Sequence, residues 1–441
     1  MPFPQSLKKI RPLQLIAVIF FTVSGGPYGL EPLLAYAGEH AAILLLLLTP
    51  LLWDVPAILT VMELNSMMPV EGGYYKWVKN TLGTRWGFYE GWWTWLYTFV
   101  DLAIYPVLFV EYATFFFPGL EAYKIPVCLL IIWSSAGLNI LGIVPVGKVS
   151  LFLSAAVLSP FIVLVAVFFY KHTGGIALPQ PSLHSISYPS LGMALYTVMW
   201  NCLGWDNITT YAQEVEKPVK SYLNSIAIAF TLVMVVYFFA VLVAQQSGIN
   251  KDVLTNDGFP ALGVLIGGQW LGALIAMGGM ASTLGIYAAV LLSVSRVPKA
   301  MADDGLLPKG LNRNHPRFQT PYISIVICSI IVSLMVLWTF ADLLIIDVTV
   351  YGAGLSLEYI TLLTLRIKQP GRHRPFKIPL STKGLYLMIV LPVSVYFIAL
   401  AGAFASEEKG IQAALFAIIA LSSAELVWRI ITWRKPNLLS E

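Results

Sequence analysis

Ser24-Gly25-Gly26-Pro27-Tyr28-Gly29 lies in the middle of the chain's first long apolar run, Gln14–Ala37. The run is long enough to cross a bilayer, for which about 20 apolar residues suffice. An unbroken helix would want leucine or alanine where three glycines and a proline stand. The stretch therefore reads as helix, break, helix. Ser24 and the glycines end one half, and Pro27 suits the first turn of the next, where its missing N–H costs nothing. Unwound backbone at membrane depth is tolerated where protein or a water-filled cavity satisfies it, so such a break marks a binding site. The free N–H groups and positive dipole end of the second half would face that cavity. The competing reading is a Pro/Gly kink that only packs.

Working outward, the 441 residues are 58% hydrophobic and 11% charged, with mean hydropathy +0.76. Soluble domains carry about 25% charged residues, so the composition excludes a large soluble domain and indicates an integral membrane protein. Twelve spans can be drawn. The first six are Gln14–Ala37, Ala41–Leu64, Trp86–Phe117, Ile125–Leu141, Val149–Tyr170 and Leu191–Tyr211. The second six are Tyr222–Gln245, Leu271–Val294, Ile323–Phe340, Leu343–Leu365, Leu385–Ala403 and Ile411–Trp433. Of the 27 lysines and arginines, only Lys124, Lys171, Lys251 and Lys409 fall on the side opposite the N-terminus. That positive-inside bias places residues 1–12 and 434–441 in the cytoplasm. It also makes the basic loops topology signals and argues against nucleic-acid contact, leaving the lipid bilayer as the chain's setting. Lys8, Lys9 and Arg11 precede an apolar run too long for a signal peptide.

A second interruption, Asn201-Cys202-Leu203-Gly204-Trp205-Asp206-Asn207, falls in span six, with Asp206 placed to cap a half-helix starting at Ile208. Two broken helices, each first in a set of five, are what an inverted repeat produces. The division expected is 13–170 and 190–367 as five-helix repeats, with 384–433 as two further helices. Loop 2–3 carries Glu71-Gly72-Gly73-Tyr74-Tyr75-Lys76-Trp77 and suits a short helix along the inner interface. Gln246–Gln269 reads as a long outer loop, with a turn at Asn256-Asp257-Gly258-Phe259-Pro260 that suits an external lid.

Carboxylates outnumber cations inside the spans. A charge at the bilayer centre costs about 2.5–3.5 kcal/mol on insertion scales, so these acids call for a role. Asp206 beside Trp205 is a candidate amine site, by charge pairing and cation–π attraction; plain N-capping is the alternative. Asp101, before Tyr105-Pro106 in span three, is the second candidate for amine or proton work. Glu31 follows the first break, where a helix dipole favours an anion. Glu111 lies nearer the outer surface. Asp54, Glu90, Asp347 and Glu358 read as structural pairs or interface residues, and Tyr287 and Tyr351 as wall residues or plain packing. Glu214 and Arg296, both on the cytoplasmic side, are candidates for an inner gate. No catalytic constellation is found: His40, His172, His184, His315 and His373 are scattered in loops without metal spacing, and there is no P-loop. Cys128, Cys202 and Cys328 read as small buried side chains. A channel would need a continuous ring of polar groups, where this chain has isolated acids.

Several stretches resemble the amino acid–polyamine–organocation superfamily, most closely its plant-type polyamine uptake branch. They are Val23–Glu31, Glu71-Gly72-Gly73-Tyr74, Trp86–Gly91, Asp101–Phe109, Trp205-Asp206, Glu214–Pro218, Met301–Pro308 and Arg374–Leu380, in the family's order along nearly the whole chain. The resemblance implies an all-α, leucine-transporter-type fold: two inverted five-helix repeats with discontinuous helices 1 and 6, plus two extra helices. It implies a site between spans one and six, walled by three, eight and ten. There Ser24, Gly25 and Gly26 would supply backbone groups, and Trp205 and Asp206 would contact substrate amines. Members couple to protons or exchange substrates and need no cofactor. Where many amino-acid members carry a lysine in mid span five, this chain has Leu153, Ser154, Ala155 and Ala156. That departure shifts the expected proton carrier to Glu31 or Asp101. Ser282-Thr283 offer hydroxyls for sodium, ranked third after protons and exchange. The expected function is secondary active transport of polyamines or other cationic amines by alternating access. The alternative is a neutral or cationic amino-acid permease or exchanger.

Overall fold

The computed structural model describes residues 9–172, 176, 180, 182–183, 186–337, 340–405 and 410–435. Lys8, His184, Lys409 and positions 338–339 of the ninth predicted span lie outside these. Among the described residues nine helical stretches are long and apolar enough to cross a membrane, and Pro12–Val23 and Tyr322–Met335 are shorter apolar helices. The chain is an all-helical, multi-pass membrane protein. Its outward surface is apolar, with Leu130, Phe152, Ile162 and Leu387 exposed, while its interior holds buried acids and hydroxyls. That inverts the distribution of a protein folded in water.

The first broken span is α1 (Pro12–Val23), an irregular segment, and the start of α2 (Leu33–Leu52). Gly38, at φ 70°, interrupts α2, so the polypeptide turns there between the first two predicted spans. The second continues through α3 (Asp54–Met67). The break is longer than the sequence suggests: Pro27 is not in a helical turn, and helix resumes only at Leu33, with Pro32 at its N-cap. Glu31 thus lies inside the break, not in the first turn after it. Next come the short helix α4 (Gly73–Leu82), whose Tyr74, Tyr75 and Trp77 are buried, and α5 (Thr84–Thr114). Helix α5 continues through Pro106 as one element.

Helices α6 (Lys124–Ile140) and α7 (Ile143–Lys171) are separated by only Leu141 and Gly142, so Lys148 lies within α7. The second broken span starts as α8 (Tyr188–Trp200), capped by Ser187 accepting from the Ser190 N–H. It unwinds over Asn201–Asp206 and continues as short 3₁₀ turns at Asn207–Thr210 and Ala212–Glu214. Asp206 occupies the N-cap position of the first turn, but its side chain makes no capping hydrogen bond. Helix α9 (Pro218–Gln246) follows, opening on Pro218.

Gln246–Gln269, expected as a loop, is mostly helix: α10 (Lys251–Gly267), capped by Asn250. The turn signal within it is real, since Gly258 has φ 67° and kinks the helix. The remaining elements are α11 (Gln269–Val294), α12 (Arg296–Asp303), α13 (Tyr322–Met335), α14 (Phe340–Lys368), α15 (Thr382–Phe404) and α16 (Gly410–Arg434).

The two breaks lie against each other. Ile10 bridges Val215, Gly204 packs on the Thr22 carbonyl, and Gly29 packs on Trp200. Residue numbers rise along one broken span as they fall along the other, so the two cross antiparallel, as inverted repeats require.

Candidate functional site

Gly25 has φ +66°, and a Cβ there would stand 2.4 Å from the Ile286 side chain of α11. Only glycine meets both conditions. The main chain around it is tied internally: the Gly25 N–H donates to Phe20 O (2.8 Å), Ser282 Oγ donates to Gly25 O (2.6 Å), and the Gly26 N–H donates to Ser24 Oγ (3.0 Å). Tyr237 of α9 joins the breaks, its hydroxyl lying 2.6 Å from both Ser24 Oγ and the Asn201 carbonyl.

Between the breaks is a small cavity lined by Ser24, Asp101, Trp200, Asn201, Gly204, Asn207 and Asp347, together with Tyr97 and Tyr105. A water centre can occupy about 20 Å³ of it. That is room for roughly one or two waters. Two carboxylates and five aromatic or amide side chains face this space, and among the described residues no lysine or arginine does. Asp101 accepts from the Tyr105 hydroxyl, whose ring stacks on Trp200 at 6.2 Å between centroids.

Asp206 lies just behind this lining. Its Oδ1 accepts from the Tyr351 hydroxyl (2.9 Å), and the Gly204 N–H points at the same hydroxyl (3.4 Å). Tyr351 meets Tyr97 edge to face at 5.3 Å, and Asn207 Nδ2 donates to the Tyr97 hydroxyl (2.8 Å). The fold thus gathers Ser24, Asp101, Asp206 and Tyr351 within one hydrogen-bonded neighbourhood. It does not do so for Trp205. That indole donates to Asp54 (3.2 Å) and packs on Phe230, away from the cavity. Tyr287 is buried in α11 and does not line the cavity. Gly25 and Gly26 shape the break without lining it.

Asp347, read from sequence as structural, lines the cavity with Asp101. Asp54 receives Trp205, whereas among the described residues Glu90 and Glu358 have no ion-pair partner. Tyr97, Tyr105, Trp200 and Asn207 were not singled out at all. Nothing in their local sequence marks which way a helix turns them.

Toward the face opposite the N-terminus is a second cavity of about 530 Å³, lined by Gly29, Glu31, Glu111, Tyr112, Glu121 and Asp257 among others. Glu31 accepts from the Gly29 N–H and from the Tyr112 hydroxyl (3.0 Å), bracing the break against α5. The kink at Gly258 of α10 sits over both residues. The two cavities are separated where Trp200 rests on Gly29.

On the N-terminal face, Arg296 Nε donates to Glu214 Oε1 (2.6 Å), so the fold brings the two gate candidates into a buried ion pair. Lys299 adds pairs to Glu71 (3.0 Å) and Asp303 (3.1 Å). Asp304 takes Lys76 (2.7 Å), Lys79 (3.0 Å) and the Tyr75 hydroxyl (2.5 Å), fastening α4 to the end of α12. Burial pushes the Asp304 carboxyl up, but hydrogen bonds from Lys76, Tyr75 and Lys79 outweigh it and hold the group below its ordinary value. Burial and then Asp304 push the Tyr75 hydroxyl up. Glu63 of α3 receives Arg366 and Arg374 together with the Ile378 N–H, which gives the Arg374–Leu380 stretch its structural purpose.

Antiparallel broken helices around a small, acid-lined cavity define the class: a membrane transporter. The chain belongs to the amino acid permease family, whose model matches residues 10–422. It is 32% identical to the polyamine transporter RMV1 of Arabidopsis thaliana over 88% of this chain and 79% of that one. It is 32% identical to the polyamine transporter PUT1 of Oryza sativa subsp. japonica over 91% of this chain and 75% of that one. With the probable polyamine transporter At3g19553 of Arabidopsis thaliana it shares 33% identity, over 90% and 82% respectively.

Proposed function

We propose that this chain is a secondary active transporter of linear polyamines and related cationic amines, driven by a proton gradient and working by alternating access. The observation that carries this reading is the central cavity: Asp101 and Asp347 line it, Asp206 stands behind it, and no basic side chain enters it. An ammonium group in so small a site gains a carboxylate partner and an aromatic face from Tyr97, Tyr105 or Trp200. A substrate carboxylate would meet like charge. The plant relatives named as polyamine transporters support the same substrate class.

In this reading Ser24, Gly25 and Gly26 shape the first break, Asp101 and Asp206 hold substrate nitrogens, and Tyr351 fixes Asp206. Tyr287 and Trp205 act by packing behind the site. Glu31, bordering the outer cavity, and Asp101, in the central one, are the groups through which a proton enters. Glu214–Arg296 closes the cytoplasmic side. Residues 13–170 and 190–367 are the repeats that rock against each other, within a twelve-span topology that keeps both termini in the cytoplasm. The protein performs no covalent chemistry and requires no cofactor beyond the proton gradient.

Uptake into proteoliposomes of putrescine, spermidine, arginine, alanine and leucine, with and without a pH gradient, tests this. Accumulation of the diamine and triamine, steepened by an outside-acid gradient, is the expected result. Transport of leucine or alanine with the polyamines excluded would overturn it.

A further inference from the structure

Glu90 and Glu358 are buried acids that the cycle above does not use. Glu90 precedes Asp101 on α5 by eleven residues, and Glu358 follows Asp347 on α14 by eleven. Eleven residues is close to three helical turns, so on each helix the two acids share a face about 16 Å apart along the axis. Helices α5 and α14 run in opposite directions. Asp101 and Asp347 meet at the central cavity, while the Glu90 carboxyl lies 3.2 Å from where a Cβ on Gly354 would stand, one turn before Glu358. The result is two carboxyl rungs, the second displaced toward the N-terminal face. Gly354 leaves room for it.

The second rung touches the substrate site. Glu358 and Glu90 both stand close enough to Asp206, and to each other, to interact. Glu358 is 0% exposed and Glu90 1%, and neither Glu358 oxygen nor Glu90 Oε2 has a hydrogen-bond donor. None of the ion pairs among the described residues includes Glu90, Glu358 or Asp206. The titratable groups facing them are Tyr74 of α4, Tyr97 of α5, Tyr351 and Tyr359 of α14 and Asp54 of α3, none of which is basic. Ionised carboxylates are all acceptors, so Glu358 and Asp206 can bond only when one of them carries a proton. A buried, unpaired charge of this kind is otherwise prohibitively costly.

We propose that Glu358 and Glu90 form the proton-holding pair of this transporter, and that the position of their proton decides whether Asp206 is ionised to receive a cationic amine. With the proton on Glu358, its O–H donates to Asp206, which stays a carboxylate and binds the ammonium. When the proton passes from Glu358 to Glu90 and on to water at the N-terminal face, Glu358 is left charged beside Asp206. Like charge then draws a proton to Asp206 from Asp101, the group through which protons enter from the outer side, and the amine loses its partner. Proton and amine therefore occupy the carrier together.

The inference rests on the transport reading above, and one experiment separates them. Full-length protein in proteoliposomes is assayed for putrescine counterflow, for accumulation driven by a pH gradient, and for substrate-linked proton flux with a trapped pH dye. The ratio of driven accumulation to counterflow should fall at least tenfold in E358Q and in E90Q, with proton flux lost, and return in E358D. Wild-type ratios and proton flux in both glutamine variants would overturn the inference. So would wild-type counterflow without any linked proton movement, a result that needs no variant to fold and leaves amine transport standing. A wild-type protein that moves no amine would overturn both readings.

Discussion

Arg296, only 1% exposed, donates Nε to Glu214 across 2.6 Å and thereby joins the start of α12 to the end of the second broken span. The Glu214 carbonyl also accepts from the Ile10 N–H (3.0 Å), so the same junction holds the chain just ahead of α1. Both broken helices are clamped at one face, while the larger cavity opens toward the other. The two broken spans are thus tied together on the N-terminal side.

Breaking that clamp should be costly. Removing one partner of a buried ion pair typically costs about 3–5 kcal/mol, because the other charge is left uncompensated. Glu214→Arg is expected to abolish uptake and to increase labelling of cysteines introduced along the central cavity by reagents applied from the N-terminal side. The double exchange Glu214→Arg with Arg296→Glu should recover part of the activity. Full transport by the single reversal would remove the gate assignment.

Tyr351 donates its hydroxyl to Asp206 across 2.9 Å. Hydrogen bonds to charged groups contribute about 1.5–3 kcal/mol, which at 1.4 kcal/mol per decade is roughly 10–100-fold in affinity. Tyr351→Phe should raise the half-saturating putrescine concentration within that range. Asp206→Asn and Asp101→Asn should each lower diamine uptake by at least as much. Unchanged saturation curves in all three variants would place the substrate elsewhere.

Gly25→Ala combines two penalties. A left-handed conformation costs a non-glycine residue about 1–2 kcal/mol, and overpacking against Ile286 adds about 1–3 kcal/mol. The variant should lose thermal stability in detergent and transport poorly. Adding Ile286→Ala should return only the packing share, since the backbone conformation is unchanged. Complete recovery in the double variant would show that φ at this position is unimportant.

The Asp304 lock carries a pH signature. Because its folded-state pKa is lowered, its stabilisation is fully present above the ordinary carboxyl value of about 3.9 and is lost as pH falls through the folded value. At neutral pH, Asp304→Asn should melt below the wild type. The gap should close as pH drops below about 4. A constant gap across that window would mean that Asp304 contributes by shape, not charge.

Much of this architecture is legible in one dimension. Apolar runs, the sidedness of lysine and arginine, and Gly/Pro clusters at positions 24–29 are local properties. They mark helices and the breaks, because length, solvation and backbone freedom are decided within a few residues. The helix at Gln246–Gln269 escaped notice because Gly258 and Pro260 announce a turn, yet here they only kink α10 over Glu31. Facing is another matter. That Trp205 turns to Asp54, that Asp347 turns to Asp101, and that Glu90 rests on Gly354 all depend on how neighbouring helices are rotated and aligned. The eleven-residue spacings on α5 and α14 are written in the sequence, but only antiparallel packing of the two helices converts them into paired rungs. The sequence by itself determined that this chain is a membrane protein with two interrupted spans and an excess of buried acids. Tertiary structure decided which acids meet, because their pairing depends on contacts between segments more than a hundred residues apart.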